Sequence, residues 1–160
     1  CKGELVTLRR SPGEASFVDD SVKILGRVRS LSNLRHIGNG IGGYQSEFGG
    51  YPETLDVLVE AECLRASRLG SPLNTQKGAR DGGSRRPSDY VYIKYPDAVT
   101  PPGELILVYE RPEHYGKTHT SILQVSGDAA DVPFADFQER MAKARAWLAK
   151  DAGPSPAGRP

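Results

Sequence analysis

Residues 133–150 constrain the fold most, because they spell a helix with both ends marked and one apolar side that must be covered. Phe134, Phe137, Met141, Ala144 and Leu148 recur at spacings of three and four, which places them on one face of a 3.6-residue helix. Pro133 suits a first turn, and Gly153 with Pro154 is a stop signal. Such a stripe is stable only against another layer, so the rest of the chain has to supply one.

The best candidates for that layer are two segments rich in aromatic and β-branched residues, 90–95 (YVYIKY) and 104–110 (ELILVYE), facing each other across PDAVTPPG. Residues 121–125 and 5–8 read as further short strands, the latter broken by Ser11, Pro12 and Gly13. Leu55, Val57 and Val59 alternate with Asp56, Leu58 and Glu60, which reads as a strand ending at Cys63, although a helix fits the same pattern nearly as well. Between 19 and 31, Val22, Leu25, Val28 and Leu31 recur every third residue behind Asp19 and Asp20 and around Arg27 and Arg29, the charge order of a helix. The stretch GNGIGGYQSEFGG that follows holds six glycines and reads as a turn with a hairpin. Segment 65–88 lacks apolar periodicity and reads as a mobile loop, and 151–160 as a disordered tail. The expected class is α+β: one domain over 1–150, an antiparallel sheet of about four to five strands, with an N-terminal helix and the C-terminal amphipathic helix packed on it.

Charge and composition narrow the function classes. With 21 basic against 20 acidic side chains, no global field draws the chain to nucleic acid or anionic lipid. No apolar run approaches the roughly 20 residues of a spanning helix, so membrane contact would come only through a lipid anchor. Cys1 followed by Lys2 matches the start of a mature bacterial lipoprotein, with Cys1 as the lipidation site and the periplasm or outer membrane as the compartment; a fragment boundary fits equally. Cys1 and Cys63 have the option of pairing in an oxidising compartment.

Motifs for chemistry are sparse. Gly38, Gly40 and Gly43 spell a dinucleotide fingerprint, but no helix start follows them. Gly116, Lys117 and Thr118 echo the end of a phosphate loop whose leading glycine is replaced by Arg111. His36, His114 and His119 lack metal-ligand spacing and read as exposed loop residues, so neither a metal nor a cofactor is expected. A dispersed hydrolase-like site would draw on His36, Glu47, Glu113 and His114. Lys77, Arg80, Arg85 and Arg86 form a basic cluster without interleaved aromatics, so nucleic-acid binding through it is the minor alternative. The tyrosines at 44, 51, 92, 95, 109 and 115 are the residue type that anchors protein interfaces.

The order LRHIGNGIGGYQSEF, ETLDVLVEAE, YVYIKYPD, GELILVYE and FADFQERMAKARAWLAK resembles one half of the periplasmic immunity lipoproteins that protect bacteria from type VI secretion lipase effectors. Arg35, Gly38, Gly43, Pro102, Trp147, Arg159 and Pro160 are the residues set against that family. The resemblance implies a non-catalytic cell-envelope protein whose partner is a secreted lipase effector, blocked by covering its active site. Tyr44, Tyr51, Arg80, Arg85 and Arg86 would then be the partner-binding residues, with no catalytic residue carried over.

Overall fold

A computed structural model describes residues 12–74 and 88–151. The expectations for 1–11, for the basic cluster at 77–86 and for the tail beyond 151 lie outside the described residues, as does Cys1. The order of elements is α1 (Pro12–Phe48), α2 (Leu55–Glu60), a 3-10 turn (Ala66–Leu69), β1 (Tyr90–Tyr92), β2 (Ile106–Glu110), a second 3-10 turn (Pro112–Tyr115), β3 (His119–Gln124), β4 (Ala129–Pro133) and α3 (Phe134–Asp151). The α+β expectation holds. Four antiparallel strands lie in the order β1-β2-β3-β4, between an N-terminal and a C-terminal helix.

The glycine-rich turn and hairpin expected after residue 37 are not there: α1 runs unbroken through those glycines to Phe48. Leu34, Ile37 and Ile41 continue the apolar spacing through the segment and are at most 2% exposed. Tertiary burial therefore outweighs the poor helix propensity of glycine. Two of these glycines sit in close approach to the rest of the fold. A Cβ on Gly38 would stand 3.1 Å from Leu123, and one on Gly40 would stand 3.1 Å from the Cys63 carbonyl oxygen. Gly49, at φ +79, ends the helix in the left-handed conformation that glycine adopts without strain, and its N–H donates to the Gln45 carbonyl at 2.9 Å.

Residues 55–60 form a helical turn and a half and not a strand, with Leu55 and Leu58 buried against α1. Cys63 accordingly sits in the turn after α2, half-buried and free, with its Sγ donating to the Ala61 carbonyl at 3.5 Å. β4 was not expected; only one of its side chains, Val132, is buried, so its sequence lacks a clear alternation.

Two apolar clusters occupy the two faces of the sheet. Ile122 belongs to one and Leu123 to the other, and successive strand residues point to opposite sides. Leu123, Leu107 and Val108 meet Leu34, Ile37 and Ile41 of α1. Ile106, Ile122 and Val132 meet Phe137 and Met141 of α3, and Phe137 lies 5.0 Å from the Tyr109 ring. The far end of α3 reaches the first cluster, where Trp147 meets the Tyr95 ring edge-on at 5.4 Å. Among the described side chains of α1, the buried apolar ones that meet the sheet are Leu34, Ile37 and Ile41, all in its second half.

Candidate functional site: the outward face of α1 and the polar clamp beneath it

Around a helix turning about 100° per residue, Gly26, Ser30, Leu34, Ile37 and Ile41 share the side of α1 that faces the head, that is, the four-stranded sheet with α2 and α3. Ile24, Leu25 and Val28 lie on the opposite side. They are 59–60% exposed, as is Val22 on its flank. Between residues 22 and 28, α1 thus turns its large apolar residues away from the sheet, and among the described residues none buries them. The same outward side changes character along the helix. Past residue 38 it carries Asn39, Gly42, Gly43 and Ser46, all exposed, and a Cβ on Gly42 or Gly43 would meet no atom within 4 Å.

Where α1 leaves the head, a polar network holds it. The Glu110 carboxyl is fully buried at the end of β2. It accepts hydrogen bonds from the hydroxyls of Ser30 on α1 and Ser71, and from Tyr115 at 2.8 Å. His114 Nδ1 lies 3.2 Å from the same carboxyl. The directions of the outer bonds follow from proton bookkeeping. Ser30 and Tyr115 spend their protons on Glu110, so Tyr90 donates to Ser30 at 3.2 Å and Ser121 donates to Tyr115 at 2.6 Å. Asn33 in turn donates to Tyr90 at 3.3 Å and receives Arg68 at 3.1 Å. Asp89 accepts the Ser71 N–H at 2.7 Å and stands 3.9 Å from His114 Nε2. Three segments distant in sequence from Glu110, at 30–33, 68–71 and 89–90, are thus tied through its carboxyl to the neighbouring 114–121.

Burial raises the Tyr90 phenol from 10 to about 12, the charges of Glu110 and Asp89 acting in the same direction against the hydrogen bonds of Ser30 and Asn33. Tyr115 is raised further, first by burial and then by Glu110. A group whose folded pKa is raised keeps its contribution below the unfolded pKa and loses it as pH climbs through the folded one. Thermal unfolding followed by circular dichroism is therefore expected to show a melting temperature that falls from pH 10 toward pH 12, less steeply in Tyr90→Phe. An equal fall in that variant would exclude Tyr90 as a source.

The expected site residues fall in different places. His114, expected to be an exposed loop histidine, is a half-buried member of the clamp, and His119 lies in β3. His36 is exposed on α1, bonded to the Ser32 carbonyl at 2.7 Å; Glu47 is exposed near the end of the same helix, and Glu113 is exposed in the second 3-10 turn. His114 finds Glu110 and Asp89 as partners, neither of which sequence spacing singled out. Tyr44 and Tyr51 are half-buried against the core, and Tyr95 and Tyr115 are buried, so these are structural tyrosines first. Tyr44 also stacks on Phe48 at 4.5 Å.

Chemically, the clamp offers no reachable nucleophile: Ser30, Ser71, Ser121 and Glu110 are 0–1% exposed and already bonded to one another or to Tyr115. A cleft of about 370 Å³ lies elsewhere, between Arg35, Gly38 and Asn39 of α1 and the β3–β4 turn at Gly127 and Asp128. Among the described residues no group of three or more His, Cys, Asp or Glu side chains is placed to hold a metal ion. Among them, too, no helix is long and apolar enough to cross a membrane. No family model, curated protein or solved structure matches the chain.

Proposed function

We propose that this protein is a non-catalytic assembly subunit, in which the first half of α1 is a docking stem for another copy of the chain and the head supplies a rigid mount. The observation that carries the reading is the reversal of α1: the large apolar residues Ile24, Leu25 and Val28 point away from the head and stand 59–60% exposed. Leaving three such side chains in water forgoes about 1.5–3 kcal/mol each relative to burial, a loss that a partner surface recovers. The complementary surface is on the same helix, where Gly42, Gly43 and Ser46 leave the backbone open to a neighbour's side chains. Within the same non-catalytic class, the family resemblance points to a secreted lipase effector as the partner; the outward face of α1 favours another copy.

Sedimentation velocity of the full chain over a concentration series tests this. The weight-average mass is expected to rise with concentration for the wild type and to stay at one chain for Leu25→Asp/Val28→Asp. Both positions are exposed, so circular dichroism is expected to be unchanged. A wild type that stays at one chain at the highest concentrations would overturn the reading.

A further inference from the structure

We infer that the cleft between α1 and the β3–β4 turn binds a small zwitterion, an α-amino acid whose carboxylate meets Arg35 and Asn39 and whose ammonium meets Asp128. The inference goes beyond the assembly reading and does not depend on it. Arg35 and Asn39 stand four residues apart on α1, so they lie one above the other on the wall that faces Gly127 and Asp128. Among the described residues neither the Arg35 guanidinium nor the Asn39 side-chain amide has a hydrogen-bond or ion-pair partner. A planar guanidinium fork with a second donor beside it is suited to a carboxylate. On the opposite wall, Asp128 accepts from the Ser126 hydroxyl through one oxygen at 2.9 Å, and its other oxygen has no partner among the described residues.

Arg35 and Asp128 carry opposite charges on two walls of one cleft, yet they make no ion pair with each other. The backbone holds them apart. On α1, Leu34 and Ile37 are fully buried and Gly38 is pressed on Leu123, which fixes that wall to the sheet. The turn is fixed as well: Gly127 N–H donates to the Gln124 carbonyl at 2.9 Å, Gln124 N–H to the Asp128 carbonyl at 2.8 Å, and Ser126 N–H to the Gly103 carbonyl at 2.9 Å. A site whose walls are already set loses little to reordering when a ligand enters. The two charges also select among ligands. A simple anion on Arg35 would face the Asp128 carboxylate, and a simple cation on Asp128 would face the guanidinium, whereas a zwitterion answers both. Size agrees, since about 370 Å³ lies at the low end of ligand pockets, and Gly38, Gly127 and Ala129 add almost no side chain to the lining.

Amide proton–nitrogen correlation spectra of the full chain, titrated at constant pH and salt with L-alanine, acetate or methylammonium, test this. L-alanine is expected to give saturable shifts at the amides of Gly38, Asn39, Gly127, Asp128 and Ala129, with a dissociation constant about tenfold below that of acetate, since one charge-assisted hydrogen bond separates the two. Arg35→Gln is expected to weaken L-alanine and acetate alike, each by about tenfold. Asp128→Asn keeps an acceptor for Ser126 and is expected to weaken L-alanine about tenfold while acetate binds no more weakly than before. Both positions are exposed, so circular dichroism is expected to show both variants folded. Absence of saturable shifts with L-alanine, acetate binding as tightly as L-alanine, or an Asp128→Asn variant that binds L-alanine like the wild type would each overturn the assignment.

Discussion

Glu110→Ala is expected to cost about 3–5 kcal/mol of folding stability, the largest effect of any single substitution outside the apolar core. The carboxyl is fully buried and accepts from Ser30, Ser71 and Tyr115. Removing it strands three hydroxyl donors in a space that water does not reach, each worth about 1–3 kcal/mol when unsatisfied, before the cavity is counted. The hydroxyls recover part of that by bonding one another, which keeps the total below the simple sum. Against a whole stability of about 5–15 kcal/mol, the variant is close to the threshold of folding. Glu110→Gln is expected to cost less, about 1–2 kcal/mol, because a serine hydroxyl can rotate to accept from the new amide. Urea unfolding followed by tryptophan fluorescence measures both, Trp147 being packed on Tyr95 in the core. A loss under 1 kcal/mol for Glu110→Ala would mean that the network does not hold α1 to the head.

The parts of this fold that were legible in the sequence are those whose signal is local. Residues 134–151 carry an uninterrupted helical stripe and flanking stop signals, and the strands at 90–92 and 106–110 are aromatic and β-branched on both sides of a proline turn. Glycine misled the reading at 38–43 because its preference was judged as a backbone property alone. In the folded chain Gly38 and Gly40 are contact residues, admitting Leu123 and the Cys63 carbonyl, and the apolar spacing of Leu34, Ile37 and Ile41 was the signal that should have prevailed. Segment 55–60 shows the other failure. Six residues are too few for period two and period 3.6 to part company, and packing on α1 decided for the helix.

The candidate site was less legible, for a physical reason. The clamp draws Ser30, Ser71, Tyr90, Glu110, Tyr115 and Ser121 from separate elements, and a serine or a lone glutamate has no spacing that marks it. Only the location of Glu110 at the end of an apolar strand hinted at burial. The stem differs, since Val22, Leu25 and Val28 were visible as a helical stripe. What the sequence could not tell is that this stripe turns away from the sheet. Rotation about 100° per residue carries Leu34, Ile37 and Ile41 to the other side, so α1 has two apolar faces in series and the helix as a whole has none. That arrangement suits a helix with two tasks, one inside the head and one outside it.

Substituting glycines along α1 is expected to separate those two tasks by sign. At Gly40 a Cβ would stand 3.1 Å from the Cys63 carbonyl oxygen and 3.5 Å from the Leu64 Cβ, both fixed parts of the turn after α2. Gly40→Val adds two further methyls at that contact and is expected to destabilise by about 2–3 kcal/mol, because backbone yields less readily than the end of a side chain. At Gly43 no atom lies within 4 Å, so Gly43→Ala is expected to stabilise the isolated chain by about 1 kcal/mol through helix propensity alone. Urea midpoints taken at dilutions where the chain is a monomer give both values without a contribution from self-association. Opposite signs at two glycines three residues apart would establish that the head needs the first and not the second. Destabilisation at both would mean that Gly43 also serves the fold of the single chain, and the outward face of α1 would then lose its claim to have been kept bare for a neighbour.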